Sequence, residues 1–149
     1  MHAWAVGARI VGIETFDAVA RAHDAQDQTS VLSVGVDAQR GEVVVKEYQR
    51  NAQGRFETAT EPELISVSDW WRLAESRSDM LFSGPALERW HNQIPSGVVL
   101  ADKDFWFPQA SFVGQLAAER SSEDSPWTLL PVYSRLSAAE ERRSMIDIV

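Results

Sequence analysis

The residue types that most often carry metal or nucleophilic chemistry are scarce in this chain of 149 residues. It has no cysteine, which excludes a disulfide framework, a thiolate zinc site, an iron–sulfur cluster and a cysteine nucleophile. Its three histidines, His2, His23 and His91, lie far apart and form no HxxxH, HExxH or DxH pair. We therefore predict no catalytic metal, and we expect each histidine to lie at the surface or to cap a helix. His23 suits a helix C-terminus, where a cation interacts favourably with the helix dipole.

Motifs for serine nucleophiles and for phosphate binding are also missing. The sequence contains no GxSxG elbow, no GxxxxGK[ST] loop and no GxGxxG turn. Ser83-Gly84-Pro85 follows a predicted strand, but the serine precedes the glycine without the flanking pattern that an elbow requires. The motifs therefore predict no cofactor and no catalytic residue.

Acidic residues form the remaining pattern that could carry chemistry. Asp37 and Glu42 flank a predicted turn, and Asp102 and Asp104 lie two residues apart. In a functional interpretation, Asp37 and Glu42 are paired acids for metal binding or general acid–base catalysis. In a structural interpretation, Asp37 accepts hydrogen bonds from turn amides and Glu42 pairs with Arg40. The spacing favours the structural interpretation.

Charge and aromatic content bear on nucleic-acid binding. The net charge is −8, and an acidic surface repels a phosphate backbone. Trp70, Trp71, Trp90 and Trp106 could stack on bases, but no basic stretch surrounds them, so we expect them in the core and at its rim. If the chain acts on nucleic acid, another protein must supply the basic groove.

The clearest element that could position these residues is a hairpin over Val31–Gln49. Two valine-rich runs alternate with period two on either side of the polar residues 37–42. Gly41 in this break can take the positive φ that a tight turn or a G1 bulge demands. We expect this antiparallel hairpin to form the centre of a single sheet.

The segment before the hairpin predicts two helices and one strand. Residues 1–8 fit the last two turns of a helix that ends at Gly7, and Arg9–Ile13 fits a short buried strand. Thr15 can then cap an amphipathic helix. Because the first helix has no N-cap, we interpret residues 1–8 as the end of a longer helix, with a naturally short N-terminal helix as the alternative.

After the hairpin, apolar spacing, capping residues and prolines predict short strands and helices. In chain order these are an antiparallel strand at Phe56–Thr60, a break at Glu61–Glu63, a helix capped by Ser66 or Ser68 and reaching Ser76, a strand at Met80–Ser83, a helix at Ala86–His91, a strand at Val98–Leu100, a helix with Pro108 in its first turn, a loop at Ser121–Ser125, an extended segment at Leu129–Arg135 and a helix-prone stretch at Ser137–Arg143.

Strands and helices that alternate around a meander place the chain in the α/β or α+β class. Its length and its 44% hydrophobic content suit one globular domain over residues 1–149. No apolar run approaches the about 20 residues of a membrane span, and no basic region precedes a long apolar segment. We therefore expect a soluble, cytoplasmic domain.

Four stretches of the chain are recognisable when taken together. They are residues 7–20 (GARIVGIETFDAVA), residues 36–43 (VDAQRGEV), the helix led by Pro108, and residues 130–141 (LPVYSRLSAAEE). In the same order they resemble the G-xx-hVGV-S/T-L-x-A-hA segment, the DAR-x-GEVY hairpin, the proline-led helix and the P-x-Y-h-R-x-S-x-AE close of the TsaB (YeaZ-type, glycoprotease-like) family. The motif positions for which we expect a structural or partner role are Asp37, Arg40, Gly41, Glu42, Pro131, Tyr133 and Arg135.

The resemblance implies an α/β chain that forms the second lobe of an actin-like (ribonuclease H-like) two-lobed fold. Family members open with an h-h-x-I-D-T-A/S strand and a G-P-G-S-F-T-G-L-R segment, and this sequence contains neither. We therefore expect a C-terminal lobe that lacks most of its N-terminal lobe, with Met1 as an internal methionine of the helix over residues 1–8. The apolar face of residues 3–13 would then lack its covering, and the chain would be marginally stable.

The resemblance also implies a function. TsaB-type proteins are non-catalytic scaffolds that act with the ATP- and metal-binding paralogue TsaD and the ATPase TsaE. Together these proteins place threonylcarbamoyl on the adenosine beside the anticodon of certain tRNAs. By resemblance we expect a scaffold rather than an enzyme, no cofactor, contact with tRNA only through the complex, a homodimer as one accessible assembly, and no membrane association.

Two other classes of function stay open. The name glycoprotease suggests an enzyme, either a metalloprotease or an actin-like kinase, but the missing histidine pair and phosphate loops argue against it. The short N-terminal region suggests a stand-alone actin-like interaction domain that takes no part in tRNA modification. Metal and nucleotide binding test the first alternative, and affinity for a TsaD partner tests the second.

Overall fold

The structure is a computed structural model that describes residues 6–24, 29–120, 125, 127 and 129–131. Its helices are α1 (Thr15–Ala22), α2 (Val67–Ser76), α3 (Ala86–Trp90) and α4 (Ala110–Glu119), and its strands are β1 (Val31–Gln39), β2 (Glu42–Arg50), β3 (Phe56–Thr58), β4 (Glu63–Ser66), β5 (Met80–Ser83) and β6 (Val99–Leu100). Short 3₁₀ turns cover His91–Gln93 and Lys103–Phe105. Within the described ranges, no helix has both the length and the apolar character needed to cross a membrane.

The strands form one mixed sheet in the order β3-β2-β1-β5-β6. The β1–β2 and β2–β3 pairs are antiparallel, whereas β5 pairs in parallel with both β1 and β6. Strand β4 pairs with a different part of β2 from β3, on the same edge. The predicted α/β class with a central hairpin and an antiparallel meander is thus confirmed.

The hairpin turn is shorter than the predicted break because β1 continues to Gln39. The strands pair regularly up to Asp37, an irregularity follows, and Gln39 pairs with Glu42. The two residues between them, Arg40 and Gly41, have φ values of 53° and 80°. Positive φ at both central positions is typical of a type I′ turn, whose twist matches that of paired strands.

The pairing register shows which side chains share a face of the sheet. Directly paired residues point to the same side, so Ser33 and Phe82 share one face, and Val34 and Ser83 share the other. Trp70 of α2 donates its indole N–H to Ser33 Oγ at 3.0 Å, which places α2 on the first face. Residues 31–35 of β1 are buried throughout, as expected for a strand covered on both faces.

Helix α1 covers the opposite face and in turn packs against α4. Val19 and Ala20 are buried between α1 and the sheet. The molecule therefore has a layer of helices on each side of the sheet, with its core on both faces of β1.

Several boundary predictions were wrong. Residues 9–13 form no strand and lie outside the sheet, half-buried apart from the exposed Arg9, because a short apolar run does not by itself specify strand pairing. The N-cap of α1 is Glu14 rather than Thr15, and it makes no side-chain capping hydrogen bond. Helix α4 begins at Ala110, so Pro108 precedes the helix instead of occupying its first turn.

The segment around Pro62 shows why β4 was missed. Pro62 lies where pairing with β2 is interrupted, as predicted, but the chain pairs with β2 again from Glu63. Strand β3 also ends at Thr58 instead of Thr60, where Ala59 and Thr60 donate their amides to the Glu47 carbonyl at 2.9 and 3.3 Å. The predicted break is therefore a short interruption along one sheet edge.

The remaining elements follow the sequence closely. Ser66 caps α2 by accepting the Asp69 amide at 3.0 Å, and strand Met80–Ser83 has the predicted bounds. Val6 is helical and Gly7 has a φ of 64°, consistent with a helix that ends there. Residues 1–5, 121–124 and 132–149 lie outside the described residues, and with them most of the predicted loop and tail.

A close backbone approach joins β1 to the turn after β5. A Cβ placed on Gly84, whose φ is 112°, would lie 2.3 Å from the Gly35 carbonyl oxygen. A Cβ on Gly35 would lie 2.3 Å from the Trp70 ring. Both positions therefore require glycine, since neither the backbone nor a buried indole can move aside cheaply.

We predict that Gly84→Ala lowers the free energy of unfolding by about 3 kcal/mol or more, because it adds a backbone clash to an unfavourable φ. The matched control is Gly54→Ala, whose φ is 80° but whose Cβ would meet open space. Without the clash, this change should cost only about 1 kcal/mol. Urea unfolding measures both, and equal losses would contradict the close approach.

Candidate functional site

The motif residue Asp37 anchors the hairpin to α3. Its carboxylate accepts hydrogen bonds from Arg89 Nη1 at 2.9 Å and from Trp90 Nε1 at 3.2 Å. This corrects the predicted bonding of Asp37 to turn amides. The carboxylate lies on the face of the sheet that carries Ser33, because the two residues are four apart along β1. Asp37 thus joins the end of β1 to α3.

The other hairpin motif residues surround the type I′ turn. The Gly41 carbonyl accepts the Val67 amide at 2.9 Å, so the turn is fixed to the start of α2. Arg40 is exposed and Glu42 is half-buried. Their pairing with each other stays a prediction. Across the described ranges, no group of three or more histidine or acidic residues is placed to hold a metal ion.

The second acidic pair is a local cap. Asp102 precedes the Lys103–Phe105 turn, and its carboxylate accepts the Asp104 amide at 3.0 Å. Of the motif positions in the tail, Pro131 is exposed, whereas Tyr133 and Arg135 lie outside the described residues.

The tryptophans occupy the predicted core and rim. Trp70, Trp71 and Trp106 are buried, and Trp90 is partly buried against the core. Trp70 and Trp71 stack on each other with ring centroids 4.7 Å apart. These rings pack inside the protein and do not form a surface for stacked bases.

A polar cluster that the sequence did not indicate joins α1 to β2. Lys46 is 5% exposed, and its ammonium donates to Glu14 Oε2 at 2.7 Å and to Asp17 Oδ1 at 2.9 Å. The buried Tyr48 donates its hydroxyl to the same Asp17 oxygen at 2.7 Å. Lys46 and Tyr48 lie two residues apart, so both point to the face that α1 covers. We refer to Glu14, Asp17, Lys46 and Tyr48 as the Lys46 cluster.

The environment of this cluster fixes its protonation. Burial by itself would lower the pKa of Lys46, but hydrogen bonds to Glu14 and Asp17 outweigh burial and raise the pKa above its ordinary value. Burial and the hydrogen bond to Asp17 raise the pKa of Tyr48. At neutral pH the ammonium is charged and the phenol is protonated, so neither group suits nucleophilic or general-base catalysis.

His23 and Ser83 form a buried contact between α1 and β5. His23 Nε2 lies 3.0 Å from Ser83 Oγ, and the Phe105 ring lies edge-on, 5.8 Å from the imidazole. His23 follows α1 as its C-cap, as predicted, but the surface alternative was wrong because it is 1% exposed. A serine beside a histidine resembles a nucleophilic pair, but a substrate cannot reach two fully buried side chains. His91 is exposed, as expected, and His2 lies outside the described residues.

Arg50 is a second residue that the sequence did not indicate. Its guanidinium donates to the carbonyls of His23, Asp24 and Thr29 at 3.2, 2.9 and 2.9 Å, and also to the Gly54 carbonyl. These bonds tie the end of α1 and the approach to β1 to the β2–β3 turn. The planar group also lies over the Phe56 ring, 4.1 Å from its centroid. No spacing or motif distinguishes Arg50 from the other arginines.

We predict that Arg50→Lys lowers the free energy of unfolding by about 2 kcal/mol, because an ammonium cannot reach four carbonyls in the plane of a fork. The control is Arg55→Lys, whose exposed side chain makes one long ion pair of 3.5 Å with Glu119 and should change stability by less than about 0.5 kcal/mol. Thermal or urea unfolding compares the two. Equal effects would show that Arg50 does not hold these loops together.

We predict a steep loss of stability at alkaline pH. The stability that Lys46 and Tyr48 contribute is complete below their unfolded pKa values, at about 10, and is lost as pH rises toward their raised folded-state values. Tyr48→Phe removes one of the two groups, so the free energy of unfolding should fall less steeply with pH above about 10. Urea unfolding at a series of pH values measures the slope. An unchanged slope in the variant would contradict the raised pKa of Tyr48.

No protein-family model and no curated protein matches this chain. Among solved structures it is similar to an uncharacterized protein with similarity to peptidase YeaZ from Pseudomonas aeruginosa, with a TM-score of 0.66 and 20% identity over 89% of this chain. It is also similar to YeaZ from Pseudomonas aeruginosa, with a TM-score of 0.61 and 19% identity over 88% of this chain.

The chain spans 62% of the length of each of these two proteins. At 20% and 19% identity, the similarity shows that the backbones share a fold. The mixed sheet with helices on both faces, built around the β1–β2 hairpin, therefore has the fold of the YeaZ-type structures.

Proposed function

We propose that this chain is a TsaB-like, non-catalytic scaffold component of the machinery that makes tRNA threonylcarbamoyladenosine. In this proposal it acts with a TsaD-type catalytic paralogue and a TsaE-type ATPase. The observation that carries the proposal is the structural similarity to YeaZ over 88% of the chain, combined with the DAR-x-GEVY-like hairpin at its centre.

The contacts of the hairpin motif support a scaffold role. The Asp37 carboxylate accepts hydrogen bonds from Arg89 and Trp90 of α3. The Gly41 carbonyl accepts the amide of Val67, the first residue of α2. The motif therefore shapes the junction of the sheet with α2 and α3. In the proposed scaffold these contacts hold the hairpin in a fixed position against the two helices.

The charge of the chain supports an indirect relation to tRNA. With a net charge of −8, this protein would be repelled by a tRNA backbone and attracted to a basic protein surface. In the proposed complex, the catalytic paralogue supplies both the nucleotide site and the contact with tRNA.

A second candidate function is a stand-alone interaction domain of the same fold that takes no part in tRNA modification. The observation that favours it is the sequence identity of 20% and 19% to the two YeaZ-type structures, a level at which a shared fold does not imply a shared function. The two candidates differ in whether the chain binds a TsaD-type protein.

The test is analytical size-exclusion chromatography of the full chain with the purified TsaD-type protein from the same organism. We expect co-elution that persists in moderate salt, because a scaffold interface includes buried apolar contacts that salt does not screen. An unrelated acidic protein of similar size and charge serves as the control and should elute separately. A second readout is the threonylcarbamoyladenosine content of tRNA after deletion of the gene, which should fall.

Absence of co-elution together with unchanged tRNA modification would overturn the scaffold proposal and favour the stand-alone domain. Co-elution of the acidic control as well would show that charge and not a specific interface causes the association.

A further inference from the structure

Helix α4 is apolar over most of its surface, yet none of its ten residues is buried. Its polar residues Ser111, Gln115 and Glu119 recur every four positions and therefore form one narrow stripe. Its largest side chains, Phe112 and Leu116, are only half-buried. Because the free energy of burial scales with the apolar area removed from water, little of it holds α4 in place.

The packing beneath α4 is incomplete. Among the described elements, α4 packs most extensively against α1. Between α4 and the sheet lies a cavity of about 240 Å³, lined by Leu116 of α4, Ala20 of α1, and Tyr48 and Phe56 of the sheet, among others. Side chains around an unfilled space lose dispersion contacts. The side of α4 that faces β2 and β3 is therefore loosely packed.

Helix α1 is buried on its outer side as well as against the sheet. Val19 and Ala20 belong to the hydrophobic core, whereas Ala18 and Ala22 lie outside that cluster and are still only 0% and 2% exposed. Because Ala18 and Ala22 are four residues apart, they share one side of the helix. Helix α4, which packs on α1, covers this side.

The charged contacts of α4 are concentrated at its C-terminal end. Glu119 forms ion pairs with Arg21 of α1 and, at 3.5 Å, with Arg55 after the β2–β3 turn. The next residue, Arg120, donates to the Gly12 carbonyl at 2.7 Å. The Glu119 and Arg55 side chains are 44% and 54% exposed, so water screens these charges and their pairing stabilises the docked helix only weakly.

We infer that α4 is a displaceable cover, which leaves α1 while α1 and the sheet stay folded. Opening exposes Ala18 and Ala22, a side of α1 that no partner can reach while α4 is docked. Few buried side chains, a cavity beneath the helix and exposed ion pairs at its end keep the free energy of opening well below that of global unfolding. The inference goes beyond the scaffold role, because it concerns a motion of the chain alone.

The test is the rate at which a buried cysteine reacts with the thiol reagent DTNB in the full chain. The natural sequence has no cysteine, so each variant carries a single thiol. Ala18→Cys reports the opening of α4. Ala86→Cys, at a position that is also 0% exposed but lies in α3 on the opposite face of the sheet, reports global unfolding.

We expect Ala18→Cys to react at least about a hundredfold faster than Ala86→Cys. Its rate should also depend less on urea, because local opening exposes less surface than global unfolding. Urea unfolding of each variant gives the global stability against which the rates are compared. Ala22→Cys, on the same side of α1, replaces Ala18→Cys if the added sulfur atom prevents folding.

A third variant distinguishes the opening of α4 from detachment of α1. Val19 is 0% exposed and belongs to the core beneath α1. If α1 stays on the sheet, Val19→Cys should react as slowly as Ala86→Cys.

The role of the C-terminal ion pairs is tested in the Ala18→Cys background. Glu119→Gln should raise the labelling rate about threefold, the effect of losing partly exposed ion pairs. The matched control Glu75→Gln removes the same charge from an exposed position of α2, on the other face of the sheet, and should change the rate by less than about 1.5-fold.

Three results would overturn the inference. Equal rates and equal urea dependence for Ala18→Cys and Ala86→Cys would show that α4 leaves only when the whole chain unfolds. Fast labelling of Val19→Cys would show that α1 itself detaches. Equal effects of Glu119→Gln and Glu75→Gln would show that the ion pairs of Glu119 do not hold the cover closed.

Discussion

The fold depends on the close approach of two backbones at Gly35 and Gly84. A Cβ at Gly84 would lie 2.3 Å from the Gly35 carbonyl oxygen, and the Trp70 ring closes over Gly35 from α2. These two contacts fix β1, the turn after β5 and α2 relative to one another. Because α3 begins directly after the turn, its Arg89 is brought within 2.9 Å of Asp37, two residues along β1 from Gly35. Packing therefore positions the β1–β2 hairpin, and the contact between Asp37 and Arg89 forms as a consequence.

The opposite face of the sheet combines the apolar packing of α1 with a buried group of paired charges. The Lys46 cluster places a buried ammonium between two carboxylates of α1 and its N-cap, and the desolvation that this burial costs is offset by hydrogen bonds to both. A cavity of about 240 Å³ lies beside this cluster, between α1, β2, β3 and α4.

The sequence predicted the elements whose local signals were strong. The period-two valines, the Ser66 cap and the apolar strand Met80–Ser83 all gave correct elements, because local propensity and burial favour the same structure there. Sequence-based prediction failed where the structure depends on contacts between distant parts of the chain. Rejoining of the sheet at Glu63, the partners of Asp37 and the carbonyl contacts of Arg50 are set by segments far apart in sequence. Burial of Lys46 and His23 was missed for the same reason, since both residue types are usually exposed or half-exposed.

Native-state hydrogen exchange tests the central claim most directly, because it reports the free energy that protects each backbone amide. If β1 and β5 are locked together by the glycine contact, the amides of residues 31–36 and 80–83 should exchange only through global unfolding and should be the slowest in the chain. The edge strands β3 and β6, with three and two residues, should exchange through local opening. Faster exchange in β1 and β5 than in β2 would contradict the account, since the sheet would then be organised without their contact.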